Sequence, residues 1–429
     1  MEGLDILEYS GDGYSRVVSG AKWTVASLNY ADRFDESNIV ELERHNLTDE
    51  TFVLLSGEAT LVVGEKAEQV KMEPLKFYNV RAGAWHGIFV SRDARVLVAE
   101  NADTSKDNTE YLDLKTRRVF MKRPAFEEVL PGTYMLKVPF GPVWTGVVLV
   151  RGERNFLVDS SHLGPEEYLL PALADMGMKP SDIDWLVLTH VHGDHVGGVH
   201  ALHEKYGVRV ATLDSSADAL RDPVKVAIRV RTRFPENSPP PQTSLKGVEP
   251  DLLLKEGELL GGRFRAVAAP GHDDDSLVWI DTQTGTAFTG DSLQANGTVC
   301  QGIAFYRDLS AYRRTLAKLA GEKIDNLVCG HDYAGIGSVV KGRDAVAAAI
   351  DYSASRVKLY GERIAFYLGG TQFAATVAPL RAHVATDEDS LVSITRRLIC
   401  EVGCGMPERL FLAMHTVSEH LRELAENEG

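Results

Sequence analysis

Thr189-His-Val-His-Gly-Asp-His195, followed by Val196-Gly-Gly198, concentrates potential metal ligands and glycines as no other stretch of the chain does. It continues a short apolar run, Asp184-Trp-Leu-Val-Leu-Thr189, that reads as a buried strand. Three histidines and one aspartate therefore leave the end of a strand within six residues. Imidazole and carboxylate are the ligand types that suit Zn²⁺ or iron. His190 and His192 alternate, so both can reach one metal from the strand end, while Asp194 and His195 are placed to turn toward a second. Gly193, Gly197 and Gly198 permit the tight backbone that such a loop needs.

Three later segments each put a donor just after a strand-like run: Ala266-Val-Ala-Ala-Pro-Gly-His272, Thr286-Ala-Phe-Thr-Gly-Asp291 and Asn326-Leu-Val-Cys-Gly-His331. Any one of these histidines alone is better read as a surface or packed residue; the complete ordered set is not. Around them strands alternate with helices. Tyr134-Met-Leu-Lys-Val, Gly146-Val-Val-Leu-Val and Asn155-Phe-Leu-Val-Asp159 read as strands, and helices are expected from Pro165 to Gly177 and from Val199 to Tyr206. This part is α/β. Residues 234–250, rich in Pro, Ser and Asn, read as a loop, and the chain is mainly helical from about 343.

In this order of motifs, residues 130–335 resemble a metallo-β-lactamase-fold hydrolase. The resemblance implies a four-layer αββα sandwich. It implies that His190, His192 and His272 hold a first metal, that Asp194, His195 and His331 hold a second, and that Asp291 bridges them. Asp159 matches the family's structural aspartate near the site. Two Zn²⁺ are the implied cofactors, with iron or manganese as alternatives. Two such ions share a hydroxide near neutral pH, since they lower the pKa of bound water to about 7. That hydroxide would cleave a small ester, thioester, lactone or amide, with Asp194 orienting the nucleophile or passing its proton on. A nuclease of the same fold is the alternative within the class, and a non-enzymatic small-molecule sensor the alternative outside it. One departure stands out: the family often reads Gly-His-Thr-x-Gly-Ser where this chain reads Gly271-His-Asp-Asp-Asp-Ser276. Those carboxylates are either partners of the ligating histidines or a solvated acidic turn.

Toward the N-terminus, residues 35–101 read as short strands between turns, the pattern of a small all-β domain. Glu43-Arg-His-Asn-Leu-Thr-Asp-Glu50, Gly57 and Gly83-Ala-Trp-His86 resemble the two cupin motifs, with Glu43 in place of the first histidine. The resemblance implies that Glu43, His45, Glu50 and His86 hold one divalent metal, or that a degenerate cupin keeps the fold without it. Such a domain is also expected to support a homodimer. The domains expected are 1–125, cupin-like; 126–342, the hydrolase; and 343–429, helical and similar to the winged-helix-like tail of one hydrolase subfamily.

Between the first motif and His272 lies Arg221-Asp-Pro-Val-Lys-Val-Ala-Ile-Arg-Val-Arg-Thr-Arg-Phe234. Arg229, Arg231 and Arg233 are candidates to grip a substrate anion; a solvated face is the plainer reading. The tail helix around Ala413-Met-His-Thr-Val-Ser-Glu-His420 carries Glu419, Glu423 and Glu426, which suits a packing element and not a DNA reader. The chain of 429 residues has a formal charge of −15, which disfavours nucleic acid and anionic membrane as partners. Its 44% hydrophobic and 25% charged residues exclude a disordered chain. No apolar run approaches ~20 residues and the start, Met1-Glu-Gly-Leu-Asp, lacks signal-peptide order, so a cytoplasmic protein is expected. Cys300, Cys329, Cys400 and Cys404 are expected to be reduced thiols.

Overall fold

The computed structural model describes residues 6–20, 22–102, 104, 109–117, 119–121, 124–368, 388–405, 407 and 410–426. The opening Met1-Glu-Gly-Leu-Asp5, and Thr386 and Asp387 at the start of the tail, lie outside them. The chain divides into two compact units, Met1–Arg123 and Pro124–Gly429.

The first unit is all antiparallel strands. One sheet runs in the order Tyr14–Ser19, Thr24–Asn29, Arg95–Glu100, Glu50–Ser56, Phe77–Val80. The other runs Val119–Met121, Thr109–Asp113, Glu41–His45, His86–Val90, Ala59–Val63, Glu68–Lys71. Alternate residues of each strand point inward: Leu28, Phe52, Val96 and Val98 of the first sheet meet Leu61, Ile88 and Val90 of the second in one buried cluster. Glu43 pairs with His86 across neighbouring strands, which brings the two cupin-like motifs side by side.

The second unit holds two mixed sheets. The seven-stranded sheet runs Phe126–Leu130, Thr133–Phe140, Val143–Val150, Phe156–Val158, Trp185–Val187, Val210–Leu213, Leu252–Leu254. The six-stranded sheet runs Leu259–Leu260, Phe264–Ala268, Leu277–Asp281, Thr286–Gly290, Asn326–Tyr333, Gly337–Lys341. Period-2 alternation splits each strand between two cores. Phe264, Ala266, Leu277 and Trp279 face the other sheet, packing with Met135, Val148, Phe156 and Val187. Val267, Val278 and Ile280 face the opposite way, onto helices. Helices Leu169–Asp175, Val199–Glu204, Ala217–Arg221 and Pro223–Arg231 lie on the outer face of the first sheet. Leu309–Ala320, Arg343–Tyr367, Glu388–Val402 and Phe411–Glu426 lie on that of the second. The result is four layers, αββα, a mixed α/β architecture.

The helices after residue 342 do not stand apart. Ile350, Val357, Leu398, Met414 and Val417 share one cluster with Val267 and Leu327 of the second sheet, so two compact units take the place of three regions. The basic stretch is helical over Pro223–Arg231, with proline in the first turn and Asp222 accepting from the Lys225 N–H. All four cysteines are free. Among the described residues no helix is long and apolar enough to cross a membrane.

Candidate metal centre

The site is assembled at strand ends of the second unit. Phe156–Val158 and Trp185–Val187 run parallel and end at Asp159 and the histidine motif. Thr286–Gly290 ends at Asp291, while His331 lies inside its parallel neighbour Asn326–Tyr333, where the register breaks. His272 follows Phe264–Ala268. Space for this convergence depends on Gly330: a Cβ there would come within 2.8 Å of both Asp291 Oδ1 and His195 Cε1.

Donor atoms of His190, His192 and His272 lie within 4.8 Å of one another, as do those of Asp194, His195 and His331, and those of His190, His195 and Asp291. Outer hydrogen bonds decide which nitrogen of each ring faces inward. His272 Nδ1 donates to the Phe305 carbonyl at 2.8 Å and His331 Nδ1 to the Trp144 carbonyl at 2.7 Å. His195 Nδ1 donates to Asp159 Oδ2 at 2.9 Å. Thr189 Oγ1 gives its proton to Asp159 and so accepts from His190 Nδ1. His192 donates from Nε2 to Asp273 Oδ2 at 2.9 Å. Each inward nitrogen is thereby left for a metal ion or, at His195 and His331, a proton.

The inward atoms meet one another and the carboxylates of Asp194 and Asp291. His192 Nδ1 and His272 Nε2 face each other at 3.0 Å. His331 Nε2 stands 3.3 Å from Asp194 Oδ2 and 3.5 Å from Asp291 Oδ1. His195 Nε2 stands 3.4 Å from the same Asp291 oxygen, whose partner Oδ2 is 3.6 Å from His272. His190 Nε2, His195 Nε2 and Asp291 Oδ1 are buried without a hydrogen-bond partner. Buried acceptors facing acceptors are costly without a cation between them. The residues present therefore fit two metal ions, with Asp291 offering one oxygen to each group.

Burial, with the neighbouring histidine charges, holds His190 well below its usual value, and burial pushes His272 down to about 4. Burial also acts against charged His195, but Asp194, Asp159 and Asp291 together outweigh it and raise it well above the ordinary value. His331 is raised in the same way by Asp291 and Asp194. Those two histidines in turn overcome burial to hold Asp194 and Asp291 below the usual carboxylate range. Asp275 behaves oppositely: burial, reinforced by the charge of Asp273, pushes it up to about 6.

All seven residues expected at the centre are thus brought together. The basic residues are not. Arg229 pairs with Asp273 and, at 2.8 Å, with Asp274; Arg233 pairs with Glu419 at 2.8 Å and Ser418 at 3.0 Å. Their charge is spent on the chain's own carboxylates. Arg231 alone of the three lines the cavity that opens onto His192, Asp194, His272, Asp291 and His331. The acidic turn is no solvated turn either: Asp273 and Asp275 are buried, and Asp275 accepts the Val191 N–H at 2.7 Å. Sequence reasoning missed Phe305, Gln242 and Leu412, which complete the cavity. No local signal marks them, since each reaches the site through tertiary packing.

In the first unit Glu43, His45, Glu50 and His86 also converge. Here the histidines share one carboxylate: Glu50 Oε2 lies 3.1 Å from His45 Nε2 and 2.8 Å from His86 Nε2. Thr109 Oγ1 and the Ala84 carbonyl hold the outer nitrogens at 2.9 and 3.0 Å. Glu100, hydrogen-bonded by Tyr14 and Arg16, adds a carboxylate that the motif did not announce.

Residues 138–331 match the model of the Metallo-beta-lactamase superfamily and carry a domain of it. Over 184 residues the chain is 29% identical to the Beta-lactamase-like protein 2 homolog of Drosophila melanogaster, covering 43% of this chain and 56% of that protein. Over 181 residues it is 34% identical to a Hydroxyacylglutathione hydrolase of Cereibacter sphaeroides, covering 41% of this chain and 57% of that enzyme. The chain thus spans little more than half the length of these curated relatives. A solved metallo-beta-lactamase family protein from Thermus thermophilus superposes with a TM-score of 0.50 at 22% identity, over 70% of this chain and 95% of that one. That likeness is one of fold.

Proposed function

We propose that the second unit is a dinuclear metallohydrolase of small carbonyl substrates, with zinc the first candidate metal. His190, His192 and His272 would hold one ion, Asp194, His195 and His331 the other, and Asp291 both. The observation that carries this reading is the buried ring of acceptors facing acceptors, open on one side to a cavity. When bound, such ions polarise a carbonyl and make water acidic enough to attack it near neutral pH. The chain's own residues do the rest. Asp159 and Asp273 hold the rings of His195 and His192 in register. Asp194, with a side chain 20% exposed on the cavity side, is the carboxylate that can orient a water and take its proton. Phe140, Val143, Ala227, Val230 and Phe305 form an apolar wall for the acyl portion, and Gln242, Gln301 and Arg231 offer polar contacts.

Among ester, thioester, lactone and amide, the named activity of the hydroxyacylglutathione hydrolase relatives favours a thioester. The nuclease alternative loses support, because two of the three arginines it relied on are tied to carboxylates. The test is elemental analysis of the zinc-loaded full chain carrying His45→Ala and His86→Ala, with a panel of thioesters, lactones, esters, amides and phosphodiesters. Two ions per chain and turnover of a carbonyl substrate are expected. One ion or none, or cleavage of phosphodiesters alone, would overturn the reading.

A further inference from the structure

Asp273 follows His272 directly, and its side chain is fully buried. One oxygen, Oδ2, accepts the Nε2–H of His192 at 2.9 Å. The other, Oδ1, accepts from Arg307 at 2.6 Å, from the Asp274 N–H at 2.8 Å and from Arg229. One carboxylate thus joins three separate pieces of chain. The first is the histidine motif. The second is helix Pro223–Arg231, which carries Arg229 and presents Ala227, Val230 and Arg231 to the cavity. The third is the segment holding Arg307 two residues after Phe305, another cavity wall and the carbonyl that orients His272.

We infer that Asp273 is a positioning residue that couples occupancy of the His190–His192–His272 group to the seating of the cavity wall formed by helix Pro223–Arg231. The coupling is geometric. Asp273 offers only acceptors to His192, so His192 keeps its proton on Nε2 and turns its Nδ1 lone pair toward His272. The same carboxylate is the anchor for Arg229, so the ring and the helix are registered against one buried point. Arg229 has a second tie, to exposed Asp274 at 2.8 Å, which strengthens the anchor without reaching the histidines. The basic stretch would then serve the site by fixing the wall of the substrate cavity, not by binding a substrate anion through Arg229.

This inference rests on the metallohydrolase reading, and its test separates the two. In the full chain, Asp273→Asn places an amide where the carboxylate was; if its N–H₂ faces His192, that ring must take the Nδ1–H tautomer and lose the inward lone pair. Chelator competition should show one zinc weakened by about 10–100-fold, the range for removing the hydrogen-bond partner of a ligating histidine, with the other ion held as in wild type. Ring ¹⁵N NMR of the metal-free chain should show the His192 proton on Nε2 in wild type and displaced in the variant. Arg229→Gln should weaken the same zinc a few-fold, because the coupling runs both ways, and raise KM more than it lowers kcat, because the wall is loosened; unchanged affinity for both ions in this variant would show that wall and metal group are not coupled. If Asp273→Asn does not fold, Arg307→Gln tests the same anchor, with a several-fold loss of one zinc expected. Wild-type affinity for both ions and an unchanged His192 tautomer in the variant would overturn the inference while the hydrolase reading stands. Fewer than two ions on the His45→Ala/His86→Ala chain would overturn both.

Discussion

The two units each gather histidines and carboxylates in a buried pocket, yet they spend those groups differently. In the first unit Glu50 sits between His45 and His86, and the cluster closes on itself. Burial would raise the Glu50 pKa, but hydrogen bonds from both histidines and the charge of His86 bring it down to about 2. Burial would lower His86, and Glu50 outweighs it. The outcome is an internal ion pair that a metal would have to break. In the second unit the inward nitrogens meet one another and carboxylates that can only accept, so the cluster is complete only with added positive charge. Residue type, convergence and outer hydrogen bonds are alike in both pockets, since His86 Nδ1 meets a backbone carbonyl as His272 and His331 do. The difference is that one carboxylate oxygen lies within 3.1 Å of both rings in the first unit, whereas in the second the carboxylates stand 3.3–3.6 Å from the inward nitrogens.

Asp291→Ala should have the most severe effect on the second unit. Asp291 faces both histidine groups, so if it bridges two ions as proposed its loss is expected to abolish hydrolysis and to empty both positions. Glu50→Ala should leave turnover within about twofold, because the seven metal-facing residues all lie in the other unit. Wild-type turnover in Asp291→Ala would mean that the bridge is misassigned; lost turnover in Glu50→Ala would mean that the two clusters are not independent.

Protons sharpen the contrast next. His195 and His331 are raised above the ordinary histidine value in the metal-free chain, so protons compete for the nitrogens that the proposed metal would use. Zinc uptake near pH 7 should release protons. Affinity should fall with falling pH, by up to about tenfold per pH unit for each histidine that must give up a proton. Isothermal titration in buffers of different ionisation enthalpy measures both, and a pH-independent affinity with no proton release would refute the account.

Stability tests the satisfied cluster. Removing one partner of a buried ion pair costs about 3–5 kcal/mol, so Glu50→Ala should lower the urea midpoint of the first unit. The sign with pH follows from the depressed Glu50 value. Its contribution is fully present above the unfolded carboxylate range near 4.5 and is lost as pH falls through about 2. The gap between wild type and Glu50→Gln should therefore narrow from pH 6 to pH 3. A gap that stays constant over that interval would show that Glu50 stabilises by packing alone.

How much of this was legible in the sequence depends on the range of the interaction. His190, His192, Asp194 and His195 were legible because one loop carries them; His272, Asp291 and His331 because each follows or ends a strand whose apolar pattern is local. Asp273 was visible as an acidic residue, but its bonds to His192, Arg229 and Arg307 join residues 81, 44 and 34 positions away. Nothing local announces them. Glu50 and His86 were legible as metal-ligand types, but not as a close pair, since they lie 36 positions apart and meet only between the two sheets. The C-terminal helices read as packing elements from their apolar spacing; that His415 and His420 are fully buried within them did not.

The smallest effect is expected at Arg231. Residues two apart on a helix point in nearly opposite directions, since each step turns about 100°. Arg229 therefore turns to Asp273 and Asp274 while Arg231 reaches the cavity, its guanidinium 4.4 Å over the Phe411 ring. Arg233 lies past the helix end and is held by Glu419. An exposed charge contact is worth about 0.2–1 kcal/mol, so Arg231→Gln should raise KM for an anionic thioester about two- to fivefold and leave kcat nearly unchanged. The effect should shrink between low and 0.15 M salt, where screening acts over about 8 Å. Arg233→Gln should instead destabilise the fold and leave the salt dependence of KM as in wild type. A salt dependence of KM that is lost in Arg233→Gln, or kept in full in Arg231→Gln, would return the basic stretch as a whole to substrate binding and undo the division drawn among its three arginines.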